Sequence, residues 1–147
     1  MKELIIQQIK QILQERIDAA ALAMKNAQAA ANEETKSSVG DKYETGRAMN
    51  QLNLEMYGRQ HEQAASELAI VEKIDVSQIP VAIGIGSLAK TSMGIFFVAV
   101  GTGKVSVGKE LIMAISPQSP IGELLMHKKQ GDSFDFRGKK VEVLEVS

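Results

Sequence analysis

The feature that most constrains this chain is a spacing. Seam positions recur at alternating steps of four and three residues: Leu13, Ile17, Ala20, Met24, Ala27 and Ala31, then again Leu54, Tyr57, His61, Ala64, Leu68 and Val71. An average step of 3.5 residues keeps such positions on one side of a helix and is the period of a coiled-coil seam. Ala, Gln, Glu and Lys dominate the first half, and no proline occurs before Pro80, so the helix period meets no breaker. Between the two runs lies a polar stretch, Gly40-Asp-Lys-Tyr-Glu-Thr-Gly-Arg47. Two helices joined by one short polar break predict an antiparallel hairpin. Each arm of about 30 residues would span about 45 Å at 1.5 Å per residue. The seam shrinks to alanine at Ala27 and Ala31, which suits closely approaching helices. Gly58 costs the second arm about 1 kcal/mol against alanine.

The period changes after Pro80. QIPVAIGIGS, MGIFFVAVG and ELIMAIS are short runs rich in Val, Ile and Phe and broken by Gly and Ser, which reads as strands. FDF, then Arg137-Gly138-Lys139, then VEVLEV reads as a β-hairpin. In SPIGELLMHKKQGD, Ser119 suits an N-cap, Pro120 the first helical position and Gly131 the stop, which predicts one short helix. The expected class is α+β. A coiled-coil hairpin over residues 1–76, with its acidic tip near 37–46, precedes a small, mostly antiparallel β domain over 77–147.

Composition narrows the function classes. Apolar residues make up 44% and charged residues 24%, values of a globular chain rather than a disordered one. A net charge of -1 exerts no overall pull toward nucleic acid or anionic membrane. The absence of cysteine excludes disulfides and thiolate metal sites. The N-terminal stretch MKELIIQQIKQILQER is too often interrupted by charge to be a signal-peptide core. No apolar run approaches the roughly 20 residues that span a bilayer. The expected setting is soluble and cytoplasmic.

Two readings of the tip stand side by side. Asp41-x-x-Glu44 has capping-box spacing, and both charges favour the positive end of a following helix. The same two carboxylates, carried on a rod, could also supply hard oxygen ligands to part of a Mg²⁺ shell. That would matter where the rod delivers them to a site already holding one metal. Elsewhere, Gly103 to Glu110 nearly fits a phosphate loop. It ends in glutamate where the hydroxyl belongs and precedes no long helix, so no nucleotide site is expected. His61 and His127 stand alone in different halves and are read as structural. With no Trp and only four Phe, the β domain has few aromatic walls for a prolyl-isomerase pocket, and its Phe are expected in the core.

With those residues in view, the chain resembles the bacterial transcript cleavage factors GreA and GreB. The likeness covers the whole chain in organisation, a coiled-coil hairpin followed by an FKBP-like β domain. Two motifs carry it. Gly40-Asp41-Lys42-Tyr43-Glu44 is similar to the family's tip pattern of Gly-Asp, two residues and Glu. Ser119-Pro120-Ile121-Gly122, with the following ELLMHKKQGDSF, is similar to its Ser-Pro helix start and Lys-rich continuation. The sequence departs from the family after Glu44. There Thr45-Gly46-Arg47-Ala48 replaces a segment with a further acid. The resemblance implies a factor that inserts its tip into the secondary channel of RNA polymerase. Asp41 and Glu44 would assist the polymerase's own Mg²⁺ as the polymerase cuts its backtracked RNA near the 3′ end. Ser119, Pro120, Ile121 and Gly122 would serve partner binding. It implies no cofactor and no catalysis by the factor alone. A channel-binding regulator without cleavage activity, and a coiled-coil interaction module whose tip acids only cap a helix, remain as alternatives.

Overall fold

A computed structural model describes the backbone of residues 1–36 and 40–147 and the side chains of residues 1–33 and 46–147. Two long helices come first, α1 (Lys2–Lys36) and α2 (Gly40–Glu72). Six strands and one short helix follow: β1 (Ser87–Thr91), β2 (Gly94–Val98), β3 (Gly103–Val107), β4 (Glu110–Ile115), α3 (Pro120–Leu125), β5 (Ser133–Phe136) and β6 (Lys139–Val146). This is the expected α+β layout. The chain divides into two compact units. One joins Met1–Ile12 to Ala69–Ser147, and the other is Leu13–Leu68. The first turns of α1 and the end of α2 therefore belong with the sheet.

In the Leu13–Leu68 unit the 3.5-residue seam accounts for burial. Leu13, Ala20, Ala27 and Ala64 are buried, and Ile17, Met24, Leu54, Tyr57, His61 and Leu68 are half-buried. Both helices line one groove, Ala20 from α1 and Ala64 from α2. Helix α2 runs unbroken through Gly58, where no neighbouring atom lies within reach of an added Cβ. The cost of that glycine is thus entropy, not packing.

The sheet has strand order β3-β4-β2-β1-β6-β5. Four of its pairings are antiparallel, as expected. The exception is β2 with β4, which run parallel with Phe96 aligned to Met113 and Val98 to Ile115. A parallel pair needs a crossover, and here the β3 strand is that crossover. Alternation then sorts the core. Ala89, Phe96, Val98 and Ile115 share one face with Ile83, Leu125 and Val143, and Ile121, Met126 and Phe134 pack against them. Leu88, Phe97, Ile112 and Ala114 have the opposite parity and are also buried. Ile5 and Ile9 of α1 are fully buried in the same unit. Gln8 Nε2 donates to the Ser106 carbonyl at 2.5 Å, which sets the first turns of α1 against β3. The two buried phenylalanines meet the expectation that the aromatics belong to the core.

Three local expectations are corrected. QIPVAIGIGS is not a strand: apart from the start of β1 at Ser87, it contributes one bridge, Ala82 with Lys129. Gly131 does not end α3, which stops at Leu125 with Met126 as its C-cap. The reason is competition for backbone partners. His127 takes a φ of 70°. Its N–H then donates to Ile83, whose own N–H donates to Lys128. The segment after α3 thus turns into a pairing with residues 82–83 instead of continuing the helix. In the β5–β6 hairpin, Lys139 belongs to β6 and pairs with Phe136, leaving Arg137-Gly138 as a two-residue turn. Both turn residues have positive φ, 51° and 82°, which matches the strand twist as a type I′ turn does. The near-phosphate loop is likewise a hairpin. Val107 pairs with Glu110 around Gly108-Lys109, and β4 follows rather than a helix.

Candidate functional site

The tip is placed by the backbone. Helix α2 starts at Gly40, so Asp41 and Glu44 are its second and fifth residues, directly after residues 37–39. Positions three apart in a helix are neighbours on one face, and acids in a first turn suit the helix dipole. The side chains of residues 34–45 lie outside the described residues. The capping box and the metal-assisting pair proposed for Asp41 and Glu44 therefore lie outside them too. Among the described residues no group of three or more His, Asp or Glu could hold a metal ion.

The Ser119–Gly122 motif has a defined internal role. Ser119 caps α3 with φ -67° and ψ 157°, and its Oγ accepts from the Gly122 N–H at 3.1 Å. The same hydroxyl donates to the Ser116 carbonyl at 2.7 Å. Pro120 sits at the first helical position, where its missing N–H costs nothing. Gly122 is buried so close to Ser116 that an added Cβ would collide with the Ser116 carbonyl oxygen. Ile121 packs against the core, and Pro120 is the exposed member of the four. The motif holds the start of α3 to the turn before it, and it offers solvent mainly the proline ring.

Two further features were not read from the sequence. A groove of about 680 Å³ opens along the Leu13–Leu68 unit, lined by small and apolar side chains such as Ala20, Ala23 and Met56 and equally by polar ones such as Arg16, Gln63 and Glu67. The positions that line it beside the seam carry no apolar period, so no sequence signal marked it. In the other unit, a pocket of about 490 Å³ includes Lys2, Lys73, Asp75 and Gln78. Partial burial draws the Lys2 ammonium below its ordinary pKa. Asp75 accepts from both the Ser77 Oγ at 2.6 Å and the Ser77 N–H at 3.0 Å, and these bonds hold its carboxyl below the ordinary range. Among the described residues no helix is long and apolar enough to cross a membrane.

No family model matches this chain, and no curated protein matches it either.

Proposed function

We propose that the chain is a Gre-like transcription factor. In this reading it inserts the α1–α2 reversal into the secondary channel of RNA polymerase and promotes cleavage of backtracked transcripts. The observation that supports this best is the place of Gly40-Asp41-x-x-Glu44. The two acids fall within the first five residues of α2, where one long helix gives way to the other. A rod carrying acids at its reversal can reach down a narrow channel. A pair of oxygen ligands is too few for a Mg²⁺ of its own, but it suits a shell that another protein completes. When bound, that metal would supply Lewis acidity and an activated water. Asp41 and Glu44 would add negative charge and orient the water. The chain would have no activity alone, and it would work in the cytoplasm beside the polymerase and the RNA 3′ end. The sheet-bearing unit would dock at the channel rim, with Ser119–Gly122 as the partner-binding segment.

A second reading keeps channel entry and drops cleavage. It is favoured by Thr45-Gly46-Arg47, which puts a cation where the resembled factors carry a further acid. One experiment separates the two. Purified backtracked elongation complexes are mixed with the wild-type chain and with Asp41→Asn/Glu44→Gln. Transcript shortening that the double variant abolishes supports the cleavage factor. No shortening, with competition against an authentic cleavage factor, supports the channel-binding regulator. Neither effect removes the polymerase reading and leaves the acids as a helix cap.

A further inference from the structure

The pocket of about 490 Å³ in the sheet-bearing unit draws on three stretches of chain. Lys2 comes from the start of α1, Ile70 from the end of α2, and the rest from the segment that runs on from α2 into β1. Gly86 has a φ of 89°, and a Cβ there would meet Ile74 Cγ2 at 2.8 Å, so bare backbone lies against Ile74. The Gly86 N–H donates to the Val98 carbonyl at 2.7 Å, which ties that wall to β2. The apolar lining is aliphatic: Ile70, Ile74, Pro80 and Ile85. Ile70 is 41% exposed and Ile85 57%. Lys2 and Lys73 bring two ammonium groups to the same pocket. Among the described residues neither lies within ion-pair reach of a carboxylate. The half-buried Lys2 donates to the Gln78 carbonyl at 3.5 Å, the outer limit of a hydrogen bond. A charge taken partly out of water without a counter-charge costs free energy, and an anion in the pocket would offset that cost.

We propose that this pocket binds a small aliphatic monocarboxylate, its head between Lys2 and Lys73 and its hydrocarbon chain against Ile70, Ile74, Pro80 and Ile85. Charge selects the head. Lys2, Lys73 and Asp75 line the pocket together, two cations and one anion, so a single negative charge makes the site neutral. The Asp75 carboxylate already accepts twice from Ser77, and a dianion such as a phosphate monoester would add like charge beside it. The walls select the body. No aromatic side chain lines the pocket, so a flat ring finds nothing to stack on. A flexible chain laid over the exposed faces of Ile70 and Ile85 would instead remove apolar surface from water on both sides. The volume falls within the range of about 300–1,000 Å³ usual for small-molecule sites, which also combine apolar walls with a few polar groups. The site does not depend on the polymerase reading.

Titration of the full chain with octanoate, followed by amide NMR shifts, tests it. Saturable shifts are expected at residues 70–86 and at Lys2. Acetate, which has the head alone, and octanamide, which has the chain without the charge, should each bind at least about tenfold more weakly. Lys2→Gln/Lys73→Gln should weaken octanoate by at least about tenfold as well. Ile85→Gln removes part of the apolar wall at an exposed position and should also weaken it. This second variant keeps the test valid if the lysine variant folds poorly. Octanoate that gives no saturable shift at these residues overturns the proposal. So does octanamide or acetate binding as tightly as octanoate, or octanoate binding indifferent to both variants.

Discussion

The two compact units are stabilised in different currencies. The sheet-bearing unit encloses large branched and aromatic side chains on both faces of one sheet, with Phe97, Val98, Ile112 and Leu125 at or near zero exposure. The Leu13–Leu68 unit buries mostly alanines, Ala20, Ala27 and Ala64, and leaves Leu22, Met49 and Leu52 in solvent. Free energy from burial scales with apolar area, about 25 cal/mol per Å². A methyl group seals far less surface than a phenyl ring. The sheet unit is a core that organises itself. The hairpin relies on helix propensity and backbone hydrogen bonding, and its apolar surplus is turned outward.

The strongest test of this contrast is Phe97→Ala. Phe97 is fully buried in β2, and its truncation should cost about 3–5 kcal/mol. Hydrogen exchange should show a large loss of protection for the β1 and β2 amides, while the helical signal of residues 13–68 persists to higher temperature. Equal loss of both signals would mean that the units melt as one. Next comes Gly122→Ala. The added methyl meets a backbone carbonyl that cannot rotate away, and overpacking of this kind costs about 1–3 kcal/mol. Amides of α3 and its preceding turn should exchange faster, and a wild-type melting curve would refute the crowding argument. Ala64→Gly probes the other unit. It should cost about 1 kcal/mol and speed hydrogen exchange within residues 13–68, leaving β1 and β2 protection unchanged. The smallest effect is expected at Asp75. Its carboxyl titrates below the usual range because Ser77 donates to it twice. That contribution is present above the ordinary carboxylate pKa and is lost as pH falls through the depressed one. Ser77→Ala should move the Asp75 titration upward in a carboxyl NMR experiment. An unmoved titration would show that the bonds do not cause the shift.

What could be read in advance follows from the range of each signal. The seam from Leu13 to Val71 was legible because helical period is a local property, repeated many times. The β5–β6 hairpin was legible because Arg137-Gly138 between alternating runs is a local turn signal. The start of α3 was legible for the same reason, from Ser119-Pro120. Its end was not. Gly131 was a reasonable stop, but His127 turned first because Ile83, far away in sequence, offered it a carbonyl. The same distant pairing kept QIPVAIGIGS from becoming a strand of its own. The parallel match of β2 to β4 was equally hidden, since alternation specifies which face is buried and not which neighbour lies alongside. For the candidate site, spacing placed Asp41 and Glu44 at the head of the second helix. The groove was hidden because the positions that line it beside the seam, such as Arg16, Ala19, Gln60 and Gln63, are mixed in polarity and carry no apolar period.

The place of β1 in the sheet has a consequence for how the chain reaches its fold. One edge of β1 is closed by β2, its next neighbour in sequence, through pairs such as Leu88 with Phe97. Its other edge is closed by β6, with Ala89 opposite Val146 and a reciprocal pair of bonds between Leu88 and Ser147. During synthesis, β1 and its partners leave the ribosome with that second edge bare. It stays bare until the last strand arrives about fifty residues later. Until then the nascent sheet presents an open ladder of amides and carbonyls beside apolar side chains, a template for wrong partners. Domain synthesis proceeds at roughly 5–20 residues per second, so the exposure lasts seconds, and β6 acts as the clasp that ends it.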